Sequence, residues 1–496
     1  MFILEKDPRR KTRLRFKTDN SDLNDLLRSE FTVPNPASKF SPTAPESLSP
    51  ISPLGSFQTG LAFDILRYVK KIFPNEKIKL GEGVIPDIRP KFAYDEIKEP
   101  NNTKFKLRDY QKASVKLALD NGRGTFELAT SAGKSLIIHS IIENIWVVNK
   151  TKSQVLILVP TIQLVKQFYG DLVEYGIGEG NVAMFSSFAA DLPDAPIIIS
   201  NRQYLQNHAD KLPTIDICIT DEAHQLKCGS GVTKLVAGLK TLHKFAFTGT
   251  LPEDKMNRWN VIGLNGPVHY EIKAHELQAT GAVADTNITS ILLDHKEPQP
   301  EYTDSTDPLE IAKKRFPLEW KYIESSYIAN KFMADMCLKM KGNTIVLFDH
   351  VEHGKFFEEI CEQFNKDKQI YFVDGSVPLD YRENVRTEME KSDNCLLLAQ
   401  TKTFGTGTSI RNIANICFAF TAGTSTTKIV QAIGRGLRLK EGKTEMFLYD
   451  FYHNFRYSRK HYDVRRDMYL DHYKSKTFKE LEFDLKNKKM SKLQLL

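Results

Sequence analysis

The chain has 496 residues, of which 41% are hydrophobic and 26% are charged, and its formal net charge is +7. This length exceeds what one hydrophobic core can organise and predicts about three globular domains. No apolar run reaches the roughly 20 residues of a membrane-spanning helix. The N-terminus lacks the succession of a basic, an apolar and a small-residue region that a signal peptide has. We therefore expect a cytoplasmic protein without membrane contact, and the positive charge favours a polyanionic partner.

Residues 1–100 differ in composition from the rest of the chain and predict a small N-terminal module. Its segment Arg9–Arg15 alternates basic and other residues, and Phe57–Phe73 reads as one amphipathic helix with Ile65, Val69 and Ile72 on its apolar stripe. The basic side chains of the module fit either a solvated face or a contact with nucleic acid.

Two stretches of short apolar runs alternate with helix-like segments, which predicts parallel sheets covered by helices on both faces. The first stretch, residues 101–293, and the second, residues 321–455, are separated by a polar segment, 294–320, with Pro298, Pro300, Pro308 and Pro317, which we interpret as a linker or insertion. The strands predicted in the first domain are Val155–Val159, Ile197–Ile199, Ile215–Ile219 and Lys244–Phe247. Those predicted in the second are Thr344–Phe348, Gln369–Val373, Cys395–Leu398, Ile416–Phe420 and Met446–Tyr449.

Residues 456–496 are rich in tyrosine and lysine and predict a short, basic, helical C-terminal region. Its tyrosines would pack a terminal helix onto the second domain, whereas its basic residues could instead contact phosphates. The tyrosines are Tyr457, Tyr462, Tyr469 and Tyr473, and the basic residues are Arg456, Arg459, Lys460, Arg465 and Arg466.

The stretch Leu128–Ser135 has the composition of a phosphate-binding loop, in which small residues lead into Gly133, Lys134 and Ser135 ahead of an apolar run. Such a loop turns its backbone N–H groups onto phosphates, while Lys134 reaches the β- and γ-phosphates and Ser135 binds Mg²⁺. Alone, the pattern also fits a plain strand–turn–helix junction.

Two adjacent carboxylates, Asp221 and Glu222, follow the predicted strand Ile215–Ile219. Packing explains such a pair poorly at the carboxyl end of a buried strand, where open α/β sheets bind ligands. In an ATPase, Asp221 would hold Mg²⁺ and Glu222 would orient and deprotonate the attacking water. The segment Gln431–Arg438 adds Arg435 and Arg438, three residues apart and on one face if the segment is helical, as candidates to stabilise the transferring phosphoryl group.

This ordered set of motifs resembles the superfamily 2 helicases of the DEAH type, with Asp221–His224 as the second motif. The resemblance covers roughly residues 104–455 and implies two tandem RecA-like motor domains that use ATP and Mg²⁺. It identifies Gln111 with Arg108 as the adenine-reading segment, and Gln431, Arg435 and Arg438 as the sixth motif. The implied nucleotide-binding residues also include Thr130, Ser131, Ala132, Gly133, Lys134, Ser135, Leu136 and Gly407.

In this family, further motifs line a groove for the nucleic-acid backbone or link it to the ATP site. The matching residues here are Pro160, Thr161, Thr248, Thr250, His350 and Thr406. Ser131 stands where the family loop usually has glycine, and Gln400 and Ser409 stand where the fifth motif usually has threonine and aspartate.

A closer resemblance is to phage recombination helicases of the UvsW type, in Thr130–Ser135, Phe348–Gly354 and Thr406–Ile410. It implies an ATP-driven DNA helicase, acting as a monomer in the host bacterial cytoplasm, that unwinds or branch-migrates branched duplexes such as Holliday junctions, forks, D-loops and R-loops. The N-terminal module would recognise the branch. The motor motifs alone leave open an RNA helicase, a restriction-type DNA translocase, or an ATP-gated clamp that binds nucleic acid without unwinding it.

Overall fold

The computed structural model describes residues 1–10, 12–39, 43–187, 194–296, 308–404, 410–419, 426–473 and 475–492. The chain forms two compact units, residues 1–128 with 133–272, and residues 129–132 with 273–496. In the described part of the chain, the helices are too short or too polar to cross a bilayer.

The first unit opens with a small α+β module built on a four-stranded sheet. Strand β1 lies at its centre, antiparallel to β2 and parallel to β6, and the order is β5-β2-β1-β6. Strands β3 and β4 form a separate pair. The elements are β1 (Phe2–Lys6), β2 (Arg13–Thr18), α1 (Ser21–Glu30), β3 (Val33–Pro34), β4 (Ser47–Leu48), β5 (Ser56–Gln58), α2 (Ala62–Ile72), β6 (Ile78–Leu80) and α3 (Val84–Ile88).

The predicted helix Phe57–Phe73 is correct only from Ala62 onward. Phe57 lies in β5, where it pairs with Leu14 of β2, because its buried ring completes the sheet core rather than a helix stripe. Ile65 and Val69 are buried as expected, but Ile72 is 40% exposed. The apolar stripe therefore ends one turn earlier than the sequence predicted.

The module is packed firmly against the larger domain of this unit. Gly60, in the turn before α2, lies so close to the helix Lys255–Asn265 that a Cβ there would sit 2.1 Å from the Ile262 carbonyl oxygen. The buried Arg123 guanidinium donates hydrogen bonds to the Asp87 carbonyl of the module and to the Leu264 and Asn265 carbonyls of the larger domain. The module and the larger domain therefore share one packed interface, rather than being joined by a flexible connection.

A seven-stranded, all-parallel sheet forms the rest of the first unit, in the order β13-β7-β12-β11-β8-β10-β9. The four predicted strands are confirmed as β8, β10, β11 and β12, and their apolar side chains are buried on both faces. The elements are α4 (Asp109–Asn121), β7 (Gly124–Leu128), α5 (Lys134–Asn149), β8 (Val155–Val159), α6 (Ile162–Tyr175), β9 (Val182–Phe185), β10 (Ile197–Asn201), α7 (Arg202–Asn207), β11 (Ile217–Thr220), α8 (Gly231–Gly238), β12 (His243–Thr248), α9 (Lys255–Asn265) and β13 (Val268–Ile272).

The second unit contains an eight-stranded sheet in the order β16-β17-β15-β18-β19-β14-β20-β21, parallel except for the last pair. Its elements are α10 (Ala274–Ala279), β14 (Asp285–Asp294), α11 (Pro308–Ser325), α12 (Tyr327–Lys339), β15 (Thr344–Phe348), α13 (Val351–Phe364), β16 (Gln369–Val373), α14 (Leu379–Lys391), β17 (Cys395–Gln400), α15 (Thr401–Phe404), β18 (Asn415–Phe418), α16 (Thr426–Gly436), β19 (Glu445–His453), α17 (Arg456–His472), β20 (Thr477–Asp484) and β21 (Lys489–Lys492).

Two predicted boundaries are wrong. Strand β14 pairs along its length with β19 and β20, so residues up to 293 do not all belong to the first motor domain. Within the predicted linker, 294–320, helix α11 begins at Pro308. The C-terminal region is only partly helical, because after α17 the strands β20 and β21 extend the second sheet. Local sequence could not place β20 in this sheet, since its partner β14 lies far away in the chain, and β21 then follows as a hairpin with β20.

Candidate active site

The predicted phosphate-binding loop connects β7 to α5, and two of its residues have a left-handed backbone. Gly133 has φ +77°, which glycine adopts without strain, and Ser131 has φ +72°, which is costly for a residue with a Cβ. This conformation is the physical reason why glycine suits position 131 better than serine. Helix α5 begins at Lys134, so its free N–H groups face the loop.

The adenine-reading candidates lie beside this loop. Gln111 is buried, and a Cβ added to Gly133 would come within 2.5 Å of Gln111 Nε2. The Gln111 side-chain oxygen accepts a hydrogen bond from the Arg108 backbone N–H at 2.9 Å. Arg108 is exposed, and its guanidinium donates to the Tyr110 hydroxyl at 3.3 Å. The predicted segment is thus adjacent to the predicted loop.

Lys134 and Ser135 each contact a side chain from another element. The Lys134 ammonium lies 3.6 Å from Glu222 Oε1. The Ser135 hydroxyl lies 3.1 Å from the hydroxyl of Tyr175, at the end of α6. Tyr175 carries no motif of its own, so the sequence did not predict its place beside this loop. Thr130, Ala132 and Leu136 complete the loop, and the buried Thr130 hydroxyl has no hydrogen-bond partner among the described residues.

Asp221 and Glu222 follow β11 as predicted. The Asp221 backbone N–H donates to the Leu158 carbonyl of the neighbouring strand at 2.9 Å, and the side chain is buried. Burial and then the adjacent Glu222 carboxylate raise the pKa of Asp221 above its ordinary value. Glu222 has φ +48°, so the chain turns sharply there and directs its side chain toward Lys134.

A buried arginine that the sequence analysis missed fixes this carboxylate pair. Arg202, the first residue of α7, donates through Nη2 to the carbonyls of Asp221 and Glu222, the latter at 2.9 Å. Its Nη1 donates to Gln225 Oε1 at 3.2 Å. An arginine three residues after the apolar run Ile197–Ile199 was the available signal, because a buried cation needs acceptors near the strand end.

The oxygen ligands present fit a hard divalent cation. Asp221 Oδ1 is buried and has no hydrogen-bond partner among the described residues, an arrangement that is costly unless a ligand completes it. Ser135 supplies a hydroxyl at the start of α5. A carboxylate and a hydroxyl beside a phosphate loop match the ligands that Mg²⁺ prefers.

Thr248 and Thr250 are connected to the carboxylate pair rather than exposed. The Thr248 hydroxyl is fully buried, lies 3.0 Å from His224 Nδ1 and donates to the Thr250 carbonyl at 2.8 Å. His224 Nδ1 also lies 3.3 Å from Glu222 Oε2. Of the two roles that the resemblance implies for such motifs, this burial favours a link between the ATP site and the nucleic-acid groove over direct contact with nucleic acid. The two threonines connect strand β12 to Glu222.

The other nucleic-acid candidates are dispersed. Pro160 and Thr161 follow β8, and the Thr161 hydroxyl caps α6 by accepting from the Leu164 N–H at 3.4 Å. His350 is about half exposed, and its Nδ1 lies 2.9 Å from Glu324. Gln400 donates to the Asp349 carbonyl at 3.1 Å. Thr406, Gly407 and Ser409 lie outside the described residues.

The sixth-motif residues belong to the second unit. Gln431 and Arg435 are on α16, and the Arg435 guanidinium lies 5.7 Å from the centre of the Phe404 ring. Helix α16 ends at Gly436, so the helical condition under which Arg435 and Arg438 would share a face is not met. Lys443 donates to the carbonyls of Gly436, at 2.6 Å, and Arg438, at 3.0 Å. These bonds hold the chain in a non-helical path at Arg438.

Two family models match the chain and together cover more than half of it. The model described as "Type III restriction enzyme, res subunit" matches residues 104–253, and the "Helicase conserved C-terminal domain" matches residues 329–440. The first match contains the loop and the carboxylate pair, and the second contains Gln431, Arg435 and Arg438. The chain belongs to the superfamily 2 helicases.

Relatives of this helicase include a phage protein and an archaeal one. It is 28% identical over 362 residues to the ATP-dependent DNA helicase uvsW of Enterobacteria phage T4, which covers 70% of this chain and 69% of that protein. It is 28% identical over 221 residues to the DNA 3'-5' translocase XPB2 of Sulfurisphaera tokodaii, which covers 44% of this chain and 46% of the relative.

The fold of the helicase is also that of solved structures. A putative HsdR subunit of a type I restriction enzyme from Vibrio vulnificus aligns over 85% of this chain and 74% of its own, with a TM-score of 0.56 and 15% identity. Dbp5 of S. cerevisiae aligns over 76% of this chain and 91% of its own, with a TM-score of 0.55 and 12% identity. The two parallel sheets of this helicase thus have the RecA-like fold. Its membership of the helicase family, shown by the two family models, makes the enzyme an ATP hydrolase.

Proposed function

We propose that this helicase is a DNA motor that unwinds or branch-migrates branched duplexes, such as Holliday junctions, forks, D-loops and R-loops, in phage recombination, repair and replication. The observation that carries the proposal is the similarity to the phage T4 DNA helicase, which extends over 70% of this chain. The N-terminal module supports it, because it is fixed to the motor domain by Arg123 and can hold a DNA branch in a constant position.

In this proposal the residues around Lys134 and Asp221 bind and hydrolyse ATP. Lys134 and the loop from Thr130 to Leu136 hold the triphosphate, with Arg108 and Gln111 beside the base. Ser135 and Asp221 hold Mg²⁺, which neutralises charge on the phosphate oxygens when bound. Glu222 orients the attacking water and accepts its proton. The residues Gln431, Arg435 and Arg438 stabilise the transferring phosphoryl group.

Burial and hydrogen bonding limit which arginines of the segment Arg9–Arg15 can contact DNA. Arg13 donates to the hydroxyl and carbonyl of Ser56, and Arg15 pairs with Glu5. These two arginines stabilise the module's own sheet. Arg9 and Arg10 remain exposed, so the part of this segment that can meet a phosphate backbone is its N-terminal end.

A restriction-type DNA translocase is the second candidate, and one observation favours it. The family model that matches residues 104–253 describes a restriction-enzyme subunit. The two candidates differ in substrate, because a translocase of this kind is stimulated by linear duplex and needs no branch.

The test compares DNA-stimulated ATP hydrolysis and strand separation on linear duplex, single strands, a four-way junction and an RNA duplex of matched length. We expect the junction to give the strongest ATPase stimulation and to be resolved into two duplexes. Glu222→Gln is the control, which should bind the junction without turning over ATP. Equal stimulation by linear duplex without junction resolution would support the second candidate, and preference for RNA would overturn the DNA assignment.

A further inference from the structure

A pocket of about 370 Å³ lies where the N-terminal module meets the first motor domain. Helices α1 and α2 supply one side, and helix α9 with the start of β13 supplies the other, all within the first unit. We call it the module–motor pocket. It is lined by Glu30, Phe31, Asp64, Arg67, Tyr68, Lys71, Arg258, Trp259, Ile262, Pro267 and Val268. Its size is that of a site for one small molecule or one nucleotide.

Aromatic rings form one wall of this pocket. Phe31 is buried, with its ring centre 5.3 Å from that of Trp259 and 6.3 Å from that of Tyr68. Phe31 therefore holds the two other rings in place. Trp259 is only partly buried, and its indole N–H has no hydrogen-bond partner in the described part of the chain. A rigid, partly exposed indole offers a face on which a planar group can stack.

Cations and carboxylates surround these rings. Asp64 lies 3.7 Å from Arg67. Arg258 and Lys71 are exposed and form no ion pair or hydrogen bond within the described residues, and the nearby charge of Arg258 acts to lower the pKa of Asp64, which burial raises. These two cations are therefore available to a phosphate. The carboxylate of Glu30, also on the wall, can accept a hydrogen bond from the amino group of a base.

A planar stacking face beside two available cations is the combination that single-stranded nucleic-acid sites use. A paired base cannot use it, because its faces are covered within the duplex stack. Only a base that has left the stack can enter, and a DNA branch provides such bases at low cost. We propose that the module–motor pocket binds one unpaired nucleotide of the DNA substrate, with its base stacked on Trp259 and its phosphate held by Arg258 and Lys71.

This inference rests on the proposed DNA function and adds a place where the branch is recognised. Because the module and the motor domain each supply one side, only their packed arrangement forms the pocket. Arg123 and Gly60, which hold the two together, would position the pocket without touching the nucleotide.

Tryptophan fluorescence tests the proposal, since the chain has three tryptophans. In a variant with Trp146→Phe and Trp320→Phe, Trp259 is the sole reporter. The probes are a short single-stranded oligonucleotide, a blunt duplex of the same sequence and free deoxycytidine monophosphate, whose base carries an amino group, all without ATP. We expect saturable quenching by the single strand only. Adding Arg258→Gln and Lys71→Gln should weaken this binding about tenfold or more, whereas Lys70→Gln, a lysine of α2 outside the pocket, should leave it unchanged.

Several results would overturn the assignment. Equal quenching by the blunt duplex, or none by the single strand, would exclude an unpaired-nucleotide site, and equal affinity for the free monophosphate would make it a mononucleotide site instead. If the reporter variant does not fold, wild type and Trp259→Leu are compared with an oligonucleotide carrying a fluorescent adenine analogue, and equal affinity overturns the proposal. If the protein resolves junctions but the fluorescence of Trp259 does not change with the single strand, the proposed nucleotide site is refuted and the proposed function is not. Quenching without any ATP-driven DNA remodelling refutes the proposed function alone.

Discussion

The ammonium of Lys134 lies 3.6 Å from the Glu222 carboxylate, so the phosphate loop and the carboxylate pair already face each other across the edge of the first sheet. The two residues come from different elements, α5 and the turn after β11. Their proximity brings the group that would bind the γ-phosphate next to the group that would deprotonate the attacking water. Glu222 is oriented by this charge and by His224.

Replacing Lys134 with alanine should therefore abolish ATP hydrolysis. The variant loses both the proposed phosphate contact and the cation that lies beside Glu222, and we expect a fall in kcat of about a hundredfold or more. Steady-state ATPase assays with saturating DNA measure this. DNA binding without nucleotide should stay within about twofold of wild type, and retained ATP hydrolysis would refute the site assignment.

Replacing Arg202 with methionine should lower kcat while leaving the motif residues in place. The change removes the donors that hold the Asp221 and Glu222 carbonyls, and we expect a loss of about 1–3 kcal/mol in stability together with a clear fall in kcat. Thermal unfolding and ATPase assays on the same sample measure both. Lys211→Met, on an exposed turn after α7, is the control. An unchanged kcat would show that Arg202 does not position the carboxylates.

Replacing Arg465 tests whether the basic residues of the C-terminal helix α17 serve packing or phosphate contact. Its guanidinium is fully buried and binds both oxygens of Asp450, at 2.8 and 2.9 Å, while the Tyr469 hydroxyl donates to the same carboxylate at 2.7 Å. Arg465→Met leaves the Asp450 charge buried and should lower the free energy of unfolding by about 3–5 kcal/mol. Denaturant unfolding measures this, with the exposed Arg459→Met of the same helix as the control.

The burial of Tyr462, Tyr469 and Tyr473 confirms that tyrosines pack α17 onto the second unit. Arg465 belongs to that packing and cannot contact phosphate. Arg456, Arg459 and Lys460 stay exposed, so a phosphate contact by this helix would depend on them. A reduced salt dependence of DNA binding in the Arg459→Met control would reveal such a contact.

Glu143 should make the stability of the first unit depend on pH. Burial raises its pKa to about 7, and the nearby His139, whose pKa burial lowers to about 4, is neutral and cannot compensate its charge. Because the pKa of Glu143 is higher in the folded than in the unfolded state, the protonated carboxyl stabilises the fold. This stabilisation is fully present below the ordinary pKa of 4.5 and is lost as the pH rises through about 7.

The free energy of unfolding of the wild type should therefore fall by an amount on the order of 2 kcal/mol between pH 5 and pH 8. The Glu143→Gln variant should not show this fall, because its side chain does not titrate. Denaturant unfolding of the wild type and the variant across this range measures the difference. Asn101 contacts the Glu143 carboxylate, and an amide at position 143 can keep that contact. Parallel pH profiles for the two proteins would show that Glu143 is charged in the folded state at neutral pH.

Sequence by itself determined the features that depend on local patterns. The apolar runs of β8, β10, β11 and β12 were recognisable because strands buried on both faces exclude polar residues over their whole length. Lys134, Ser135, Asp221 and Glu222 were recognisable because phosphate and metal chemistry requires those residue types at those spacings. Gln111 was found only through the resemblance to known helicases, since a single glutamine carries no pattern.

Only the tertiary structure decided which distant residues meet. Arg202 and Tyr175 reach the site because α7 and α6 fold against it. Their spacing in the chain does not predict that they contact Glu222 and Ser135. The same applies to β14 and β20, which join the second sheet by pairing with strands remote in sequence. The burial of Thr248 and the end of α16 before Arg438 were likewise decided by packing and by the hydrogen bonds of Lys443. Local composition sets what a segment can form, whereas long-range pairing and burial select what it forms.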